Sequence, residues 1–242
     1  MSKIILKKYG SGNTVLVAFP GWTHLIENEK KFLNLLSKKY TVYSVCLPGY
    51  AKNKNSNKFN DFKNLVRDID KEIKKIKSKN IVYIGFSMGC RLIMELENKY
   101  PTKYKKIFVG SPVNNYKIPL WANLLLLNSN IINILRKPES FKLFIVNKAL
   151  KNILNDSRAI FNKNRNVTLT GAFDSLIGLI KSDNTFTNYK NTTNFIYGNN
   201  DKYLYEAKKY NLKSLYIIEN ADHNCVRNHE EDVITIIDKL IN

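Results

Sequence analysis

Short runs of β-favouring residues recur along the 242-residue chain and alternate with segments of helical periodicity. Several of these runs are almost continuously apolar, which is typical of strands covered on both faces. The alternation predicts an α/β fold in which a mainly parallel sheet is flanked by helices. The predicted strands are Thr14–Phe19, Thr41–Cys46, Ile81–Gly85, Lys106–Gly110, Asn194–Tyr197 and Ser214–Ile218.

The predicted helices have one apolar stripe. Between Phe59 and Ile76, and again between Val233 and Ile241, apolar residues recur at steps of three and four. From about residue 113 to residue 191 no convincing strand occurs, and the segment reads as several helices, among them Glu139–Leu154 and Thr170–Lys181. We interpret residues 113–191 as a helical cap inserted into a single domain. The core of that domain would comprise residues 1–112 and 192–242.

The net charge of +19, from 39 basic and 20 acidic residues, is typical of proteins that bind nucleic acids or anionic membranes. However, the basic residues are 33 Lys and only 6 Arg, and the chain also has 33 Asn. Arg is the better bidentate reader of phosphates and bases. This composition favours a solvated, Lys-rich surface, so we expect neither nucleic-acid binding nor stable membrane insertion.

The cysteines, the apolar stretches and the known binding motifs indicate the compartment and the cofactors. The three cysteines, Cys46, Cys90 and Cys225, are odd in number and lack metal-type spacing, which predicts reduced thiols. The first residues lack the apolar region of a signal peptide, and the most apolar stretch, Pro119–Leu135, is too short to span a bilayer. We therefore expect a soluble, cytoplasmic protein. The sequence has no phosphate-binding loop, no dinucleotide-binding motif and no zinc-binding motif, so no cofactor or metal is expected.

The strongest functional signal is Gly85-Phe86-Ser87-Met88-Gly89, which lies between a predicted strand and a helical run. The G-x-S-x-G pattern in this context is a known nucleophile elbow. Ser87 must then occupy a sharp, strained turn, and both glycines leave room for close backbone contact. The helix that follows directs its N-terminus at the serine, which favours the negative charge that develops there. Ser87 is therefore the candidate nucleophile.

A serine nucleophile needs a general base, and the chain has three histidines. His223 follows the last predicted strand, so it is expected at the same carboxyl edge of the sheet as Ser87. His229 lies at the start of the last helix, which suggests a surface or capping residue. His24 follows an early strand and is interpreted as a loop residue that could line the mouth of a pocket.

The base in turn needs a carboxylate that orients the imidazole. Asp201 lies one loop beyond the predicted strand Asn194–Tyr197, and the order Ser87, Asp201, His223 is that of α/β-hydrolases. Asp222 is less suitable, since side chains of neighbouring loop residues usually diverge. The oxyanion would be stabilised by the backbone N–H groups of Met88 and of Trp22, because Trp22 follows Pro20-Gly21 after an early strand.

These residues resemble those of the α/β-hydrolase superfamily over nearly the whole chain. Within it the sequence is most similar to small capped carboxylesterases, such as the pimeloyl-acyl-carrier-protein methyl ester esterases of biotin synthesis. Members usually carry His-Gly where this chain has Pro20-Gly21. The matching segments are Phe19–Trp22, Leu47–Tyr50, Gly85–Gly89, Tyr197–Asp201 and Ala221–His223.

The resemblance implies a serine carboxylesterase that works through an acyl-enzyme. Three alternatives stay open: an acyl thioesterase, a carbon–carbon lyase or hydrolase with the same three residues, and a non-catalytic receptor for a small hydrophobic molecule. Residues 136–165 carry eight basic and two acidic side chains, interleaved with apolar residues. This pattern predicts a cationic rim above an apolar pocket, which suits an acyl group delivered by an acidic acyl carrier protein.

Overall fold

A computed structural model describes residues 4–50, 53, 62–113, 167–182 and 185–242. Seven strands of these residues form one sheet in the order β1-β3-β2-β4-β5-β6-β7, and only the β1–β3 pair is antiparallel. The predicted α/β fold is confirmed. The strands are β1 (Ile5–Tyr9), β2 (Val15–Phe19), β3 (Thr41–Cys46), β4 (Ile81–Phe86), β5 (Lys105–Val109), β6 (Asn194–Gly198) and β7 (Leu215–Ile218).

Each of the six predicted strands is present, and each bound agrees to within one residue. β1 was not predicted. Its apolar run is interrupted by Lys7 and Lys8, since an edge strand pairs on one side only and leaves part of its surface in solvent. Its register places Lys7 opposite Ser44 and Tyr9 opposite Val42.

Helices cover both faces of the sheet and bury two apolar layers. On β2, Val15, Val17 and Phe19 contribute to one layer, whereas Leu16 and Ala18 contribute to the other. This alternation explains why the whole strand is apolar. The helices are α1 (Lys30–Lys39), α2 (Phe62–Ile73), α3 (Met88–Lys99), α4 (Leu169–Lys181), α5 (Phe186–Tyr189), α6 (Lys202–Lys208), α7 (Cys225–Asn228) and α8 (Glu230–Ile241).

Most of the predicted cap, including 139–154, lies outside the described residues. The helix predicted at Thr170–Lys181 is present as α4 and begins one residue earlier. Thr168 caps it, since its hydroxyl oxygen accepts a hydrogen bond from the Gly171 N–H at 3.0 Å. Gly171 packs directly against Gly49, so α4 lies next to the loop that follows β3. Among the described residues, no helix is long and apolar enough to cross a bilayer.

Candidate active site

The nucleophile candidate, Ser87, lies on the turn between β4 and α3 with φ 48° and ψ −109°. A non-glycine residue with positive φ is unfavourable and needs support from its surroundings. That support comes from close backbone packing. A Cβ atom at Gly85 would lie 2.8 Å from the Cys90 nitrogen, and one at Gly89 would lie 2.4 Å from the Phe19 carbonyl oxygen. Both glycines of the motif are therefore required by the tight turn.

The structure brings Ser87, His223 and Asp201 together in one hydrogen-bonded chain. Ser87 Oγ lies 3.0 Å from His223 Nε2, and His223 Nδ1 lies 2.9 Å from Asp201 Oδ2. The Asp201 side chain is 1% exposed, whereas the His223 side chain is 33% exposed. With its proton on Nδ1, the imidazole donates to Asp201 and can accept the hydroxyl proton of Ser87. This arrangement has the geometry of a nucleophile, a base and an orienting acid.

Asp201 is held by its own helix and by the loop that carries His223. Its Oδ1 accepts a hydrogen bond from the Tyr203 N–H at 3.0 Å, so the carboxylate also caps α6. The neighbouring Asn200 N–H donates to the Ala221 carbonyl at 2.9 Å. A Cβ atom at Gly198 would lie 2.3 Å from the same carbonyl oxygen. The loops that carry Asp201 and His223 are thus joined through backbone contacts.

Gly110, which was not predicted from the sequence, packs beside His223 and Asp201. It follows β5 with φ +60°, and a Cβ atom there would lie 3.0 Å from His223 Nδ1 and 3.2 Å from Asp201 Oδ2. Any larger residue would press on the contact between Asp201 and His223. The available signal was its position, since it ends a predicted strand at the carboxyl edge of the sheet.

The loop of residues 20–24 follows β2 and packs against the Ser87 turn. A Cβ atom at Gly89 would lie 2.9 Å from the Pro20 carbonyl oxygen, and one at Gly21 would lie 3.5 Å from the Phe86 carbonyl oxygen. Met88 begins α3, so its backbone N–H has no partner within the helix. Trp22 and Met88, the predicted oxyanion donors, therefore belong to two segments in direct contact.

Side chains fix the 20–24 loop from the side of α4. The Trp22 indole N–H donates to the Ala172 carbonyl at 2.9 Å. Thr23, with φ 54°, is fully buried, and its backbone N–H donates to the Tyr50 hydroxyl oxygen at 3.2 Å. The same hydroxyl lies 2.8 Å from Ser175 Oγ on α4. Burial raises the pKa of Tyr50 to about 12, so this hydroxyl keeps its proton at neutral pH.

The other candidate residues have different partners. His229 Nδ1 lies 3.3 Å from Asp232, and its Nε2 lies 3.2 Å from the Asn220 carbonyl oxygen, which agrees with a surface residue. Asp222 accepts a hydrogen bond from the Asn224 N–H at 2.7 Å. His24 contacts the Glu29 carboxylate, and its Nε2 lies 3.2 Å from Arg227 Nη2.

The three cysteines are all buried and free, and burial raises the pKa of each to about 12. Each therefore stays a neutral thiol at neutral pH, which disfavours a role as nucleophile or metal ligand. In the part of the chain that the structure describes, no three His, Cys, Asp or Glu side chains are grouped to hold a metal ion.

The fold, and the hydrogen bonds that join Ser87, His223 and Asp201, are typical of α/β-hydrolases. A sequence profile of the alpha/beta hydrolase fold matches residues 14–135, which is just over half of the chain. The protein therefore belongs to the α/β-hydrolase family. A comparison with curated protein sequences gave no match.

Solved structures of several hydrolases share the fold. A carboxylesterase of the ammonia-oxidizing thaumarchaeon Nitrososphaera gargenis aligns with a TM-score of 0.70 and 14% identity, over 99% of this chain and 94% of that one. An esterase from Exiguobacterium antarcticum aligns with a TM-score of 0.68 and 16% identity, over 99% and 96%. The thioesterase domain of a curacin biosynthetic pathway aligns with a TM-score of 0.66 and 16% identity, over 98% and 95%.

Proposed function

We propose that the protein is a serine hydrolase that cleaves carboxylic esters. The observation that carries the proposal is the hydrogen-bonded chain from Ser87 through His223 to Asp201, built on a turn with positive φ. Esterases among the structural neighbours are consistent with it.

In the first half of the proposed reaction, Ser87 Oγ attacks the carbonyl carbon while His223 Nε2 takes the hydroxyl proton. The negative charge of the tetrahedral intermediate moves onto the carbonyl oxygen, where the N–H groups of Trp22 and Met88 stabilise it. Asp201 stabilises the imidazolium. The bond to the alcohol then breaks, His223 returns the proton to the departing oxygen, and an acyl-enzyme remains on Ser87.

In the second half, water takes the place of the alcohol. His223 accepts a proton from the water, whose oxygen attacks the acyl carbon, and the intermediate is again stabilised by the same N–H groups. When the bond to Ser87 Oγ breaks, His223 returns the proton to the serine and the carboxylic acid leaves. The cycle needs no metal or organic cofactor, because this chain's own residues supply the base and the charge stabilisation.

The test is covalent labelling followed by a substrate panel. A fluorophosphonate probe should form one adduct, which peptide mass spectrometry should locate on Ser87. Initial rates across oxygen esters and thioesters of increasing acyl length should then show turnover of oxygen esters. An unlabelled, inactive protein would contradict the hydrolase proposal and support the alternative of a receptor for a small hydrophobic molecule.

Within this class we propose that the protein is a small capped carboxylesterase. Its proposed activity is that of the pimeloyl-acyl-carrier-protein methyl ester esterases of biotin synthesis. The proposed partner is an acidic acyl carrier protein that docks on the cationic residues 136–165. These residues lie outside the described part of the chain, so the support is their charge and the resemblance in sequence.

Charge reversal tests whether an acyl carrier protein docks on residues 136–165. Arg136→Glu combined with Arg158→Glu should lower kcat/KM for an acyl group on the carrier protein and spare the same acyl group on a free ester. The loss should shrink as salt is raised. Equal effects on both substrates, or none on either, would contradict a carrier-protein partner while leaving the esterase proposal intact.

A thioesterase is the second candidate, because the thioesterase domain among the structural neighbours aligns almost as closely as the esterases. The three residues could also serve a carbon–carbon hydrolase or lyase. The leaving-group ratio in the substrate panel distinguishes these reactions. Faster turnover of thioesters than of oxygen esters at equal acyl length would favour the thioesterase.

A further inference from the structure

A charged cluster outside the Ser87–His223–Asp201 chain joins two of the loops that form the site. Its centre is Glu29, which is 8% exposed. Arg227 donates to both carboxylate oxygens, from Nη2 at 2.7 Å and from Nε at 3.2 Å. His24 donates its Nε2–H to the same carboxylate. A bidentate Arg–carboxylate pair with a third donor is a strong and directional contact.

The three residues come from segments that lie next to the proposed chemistry. His24 is two residues after Trp22, and its backbone N–H donates to the Gly21 carbonyl at 3.2 Å. Arg227 lies on α7, four residues after His223. The cluster therefore spans the gap between the 20–24 loop and the loop that carries the base.

Glu29 remains a carboxylate under any ordinary assay condition. Burial acts to raise its pKa, but the hydrogen bonds from His24 and Arg227 outweigh burial and hold the pKa at about 2. The negative charge that attracts Arg227 is thus always present. The Arg227 side chain is 45% exposed and the Glu29 side chain 8%, so water reaches mainly the arginine side of the pair.

We propose that Glu29, with Arg227 and His24, is a positioning residue that keeps the Trp22 N–H and the His223 imidazole in register around Ser87. This inference rests on the proposed hydrolase function. Donors to an oxyanion must be held within a fraction of an ångström to be effective, and misplacement by about 1 Å can cost about 100-fold in rate. Loosening the cluster should therefore lower kcat and leave KM almost unchanged, since neither Glu29 nor Arg227 is proposed to bind the acyl group.

The experiment removes the charge of Glu29 or of Arg227 and keeps a side chain of similar length. Glu29→Gln and Arg227→Met should each lower kcat by about 10- to 100-fold, with KM within about twofold of the parent. The rate of labelling by a fluorophosphonate should fall in parallel. Arg227→Lys keeps the charge but loses the bidentate contact, so it should recover part of kcat.

Glu97→Gln is the matched control. Glu97 is a buried carboxylate with a cationic partner, since Lys106 Nζ lies 2.8 Å away and the Glu97 side chain is 5% exposed. It lies in the last turn of α3, about 15 Å along the helix from Ser87. Its substitution should lower the melting temperature while kcat of the folded protein stays at the parental value.

Hydrogen–deuterium exchange provides a readout that does not depend on turnover. Glu29→Gln should raise exchange in residues 20–24 and 221–228, and Glu97→Gln should not. If exchange there is unchanged, or if Glu97→Gln lowers kcat as much as Glu29→Gln does, the positioning role is wrong. A parent protein that neither labels nor turns over esters would contradict the proposed function, and the exchange measurement would still decide whether the cluster holds the two loops.

Discussion

The two sides of the site are held in place by different kinds of contact. Ser87, Asp201 and His223 lie on turns whose backbones meet directly, so that glycines set their positions. The 20–24 loop also meets the Ser87 turn through its backbone, but it depends in addition on side-chain hydrogen bonds to segments that are distant in sequence. A turn fixed by backbone contact is encoded in a short motif, whereas a loop held by remote side chains depends on the whole tertiary structure.

This difference predicts how each side responds to substitution. On the backbone-held side, one added methyl group must displace main-chain atoms or the base itself, so effects should be large. On the 20–24 loop, each hydrogen bond contributes only part of the restraint, and its loss should give a graded fall in rate.

The largest effect is expected for Ser87→Ala. Turnover should fall by at least about 10³-fold and probe labelling should disappear, because the proposed acyl-enzyme forms on the Ser87 hydroxyl. The free energy of unfolding should be nearly unchanged, as judged by denaturant melts. Adding His223→Ala should lower turnover little further, since hydrogen-bonded catalytic residues act as a unit. Residual activity within about tenfold of the parent would show that Ser87 is not the nucleophile.

Gly110→Ala tests the backbone-held side without removing a reacting group. The new methyl group would meet the His223 ring at 3.0 Å on a backbone with φ +60°. We expect a loss of about 1–2 kcal/mol in stability, and a fall in kcat of about 10- to 100-fold as the imidazole is displaced.

Gly10→Ala is the control for backbone strain. Gly10 has φ +67° and an even more crowded site, since its Cβ atom would lie 2.3 Å from the Ser37 carbonyl oxygen. It lies in the segment after β1, away from Ser87, His223 and Asp201, so its substitution should lower the melting temperature and spare kcat. If Gly110→Ala keeps the parental kcat, the close packing beside His223 has no functional consequence.

The backbone-held side was largely predictable from the sequence. Gly85 and Gly89 mark the turn at Ser87, and the predicted strands place Asp201 and His223 at the same edge of the sheet. The catalytic roles of these residues stay predictions. Gly110 was not predicted, because a single glycine at the end of a strand can have several structural roles. Only the tertiary structure shows the His223 ring beside it.

The contacts of the 20–24 loop were not predictable. Tyr50 and Ser175 are 125 residues apart in sequence, and Glu29 and Arg227 are 198 apart, so no local pattern connects either pair. Ser175 lies on a helix whose periodicity was recognised, but periodicity does not show which partner a polar side chain finds. Pairings of this kind depend on how layers pack, and a single sequence does not specify that packing.

Tyr50→Phe tests the side-chain support of the loop. The substitution removes the hydroxyl that accepts from the Thr23 N–H and contacts Ser175, while the ring stays in place. We expect kcat to fall by about 3- to 10-fold with KM unchanged, in line with the loss of one or two buried hydrogen bonds.

The matched control is Tyr189→Phe. The Tyr189 hydroxyl oxygen lies 2.9 Å from Asn98 Oδ1 and 3.1 Å from the Met94 carbonyl oxygen, so it donates to one of these two acceptors on α3. Its loss should lower the melting temperature by a similar amount and leave kcat unchanged. Equal kcat values for the two phenylalanine variants would mean that the Tyr50 hydroxyl contributes stability alone.

The smallest effect is expected for Trp22→Phe, which removes the indole hydrogen bond to Ala172 and keeps the backbone N–H that the proposed reaction uses. A fall in kcat of about two- to fivefold is expected, because the remaining contacts still hold the loop. Combining it with Tyr50→Phe makes the comparison sharper. If both hydrogen bonds restrain one loop as a unit, the double variant should lose less than the product of the two single effects. Strictly multiplicative losses, measured from kcat at saturating ester, would instead mean that Trp22 and Thr23 are held independently and that the loop does not move as one piece.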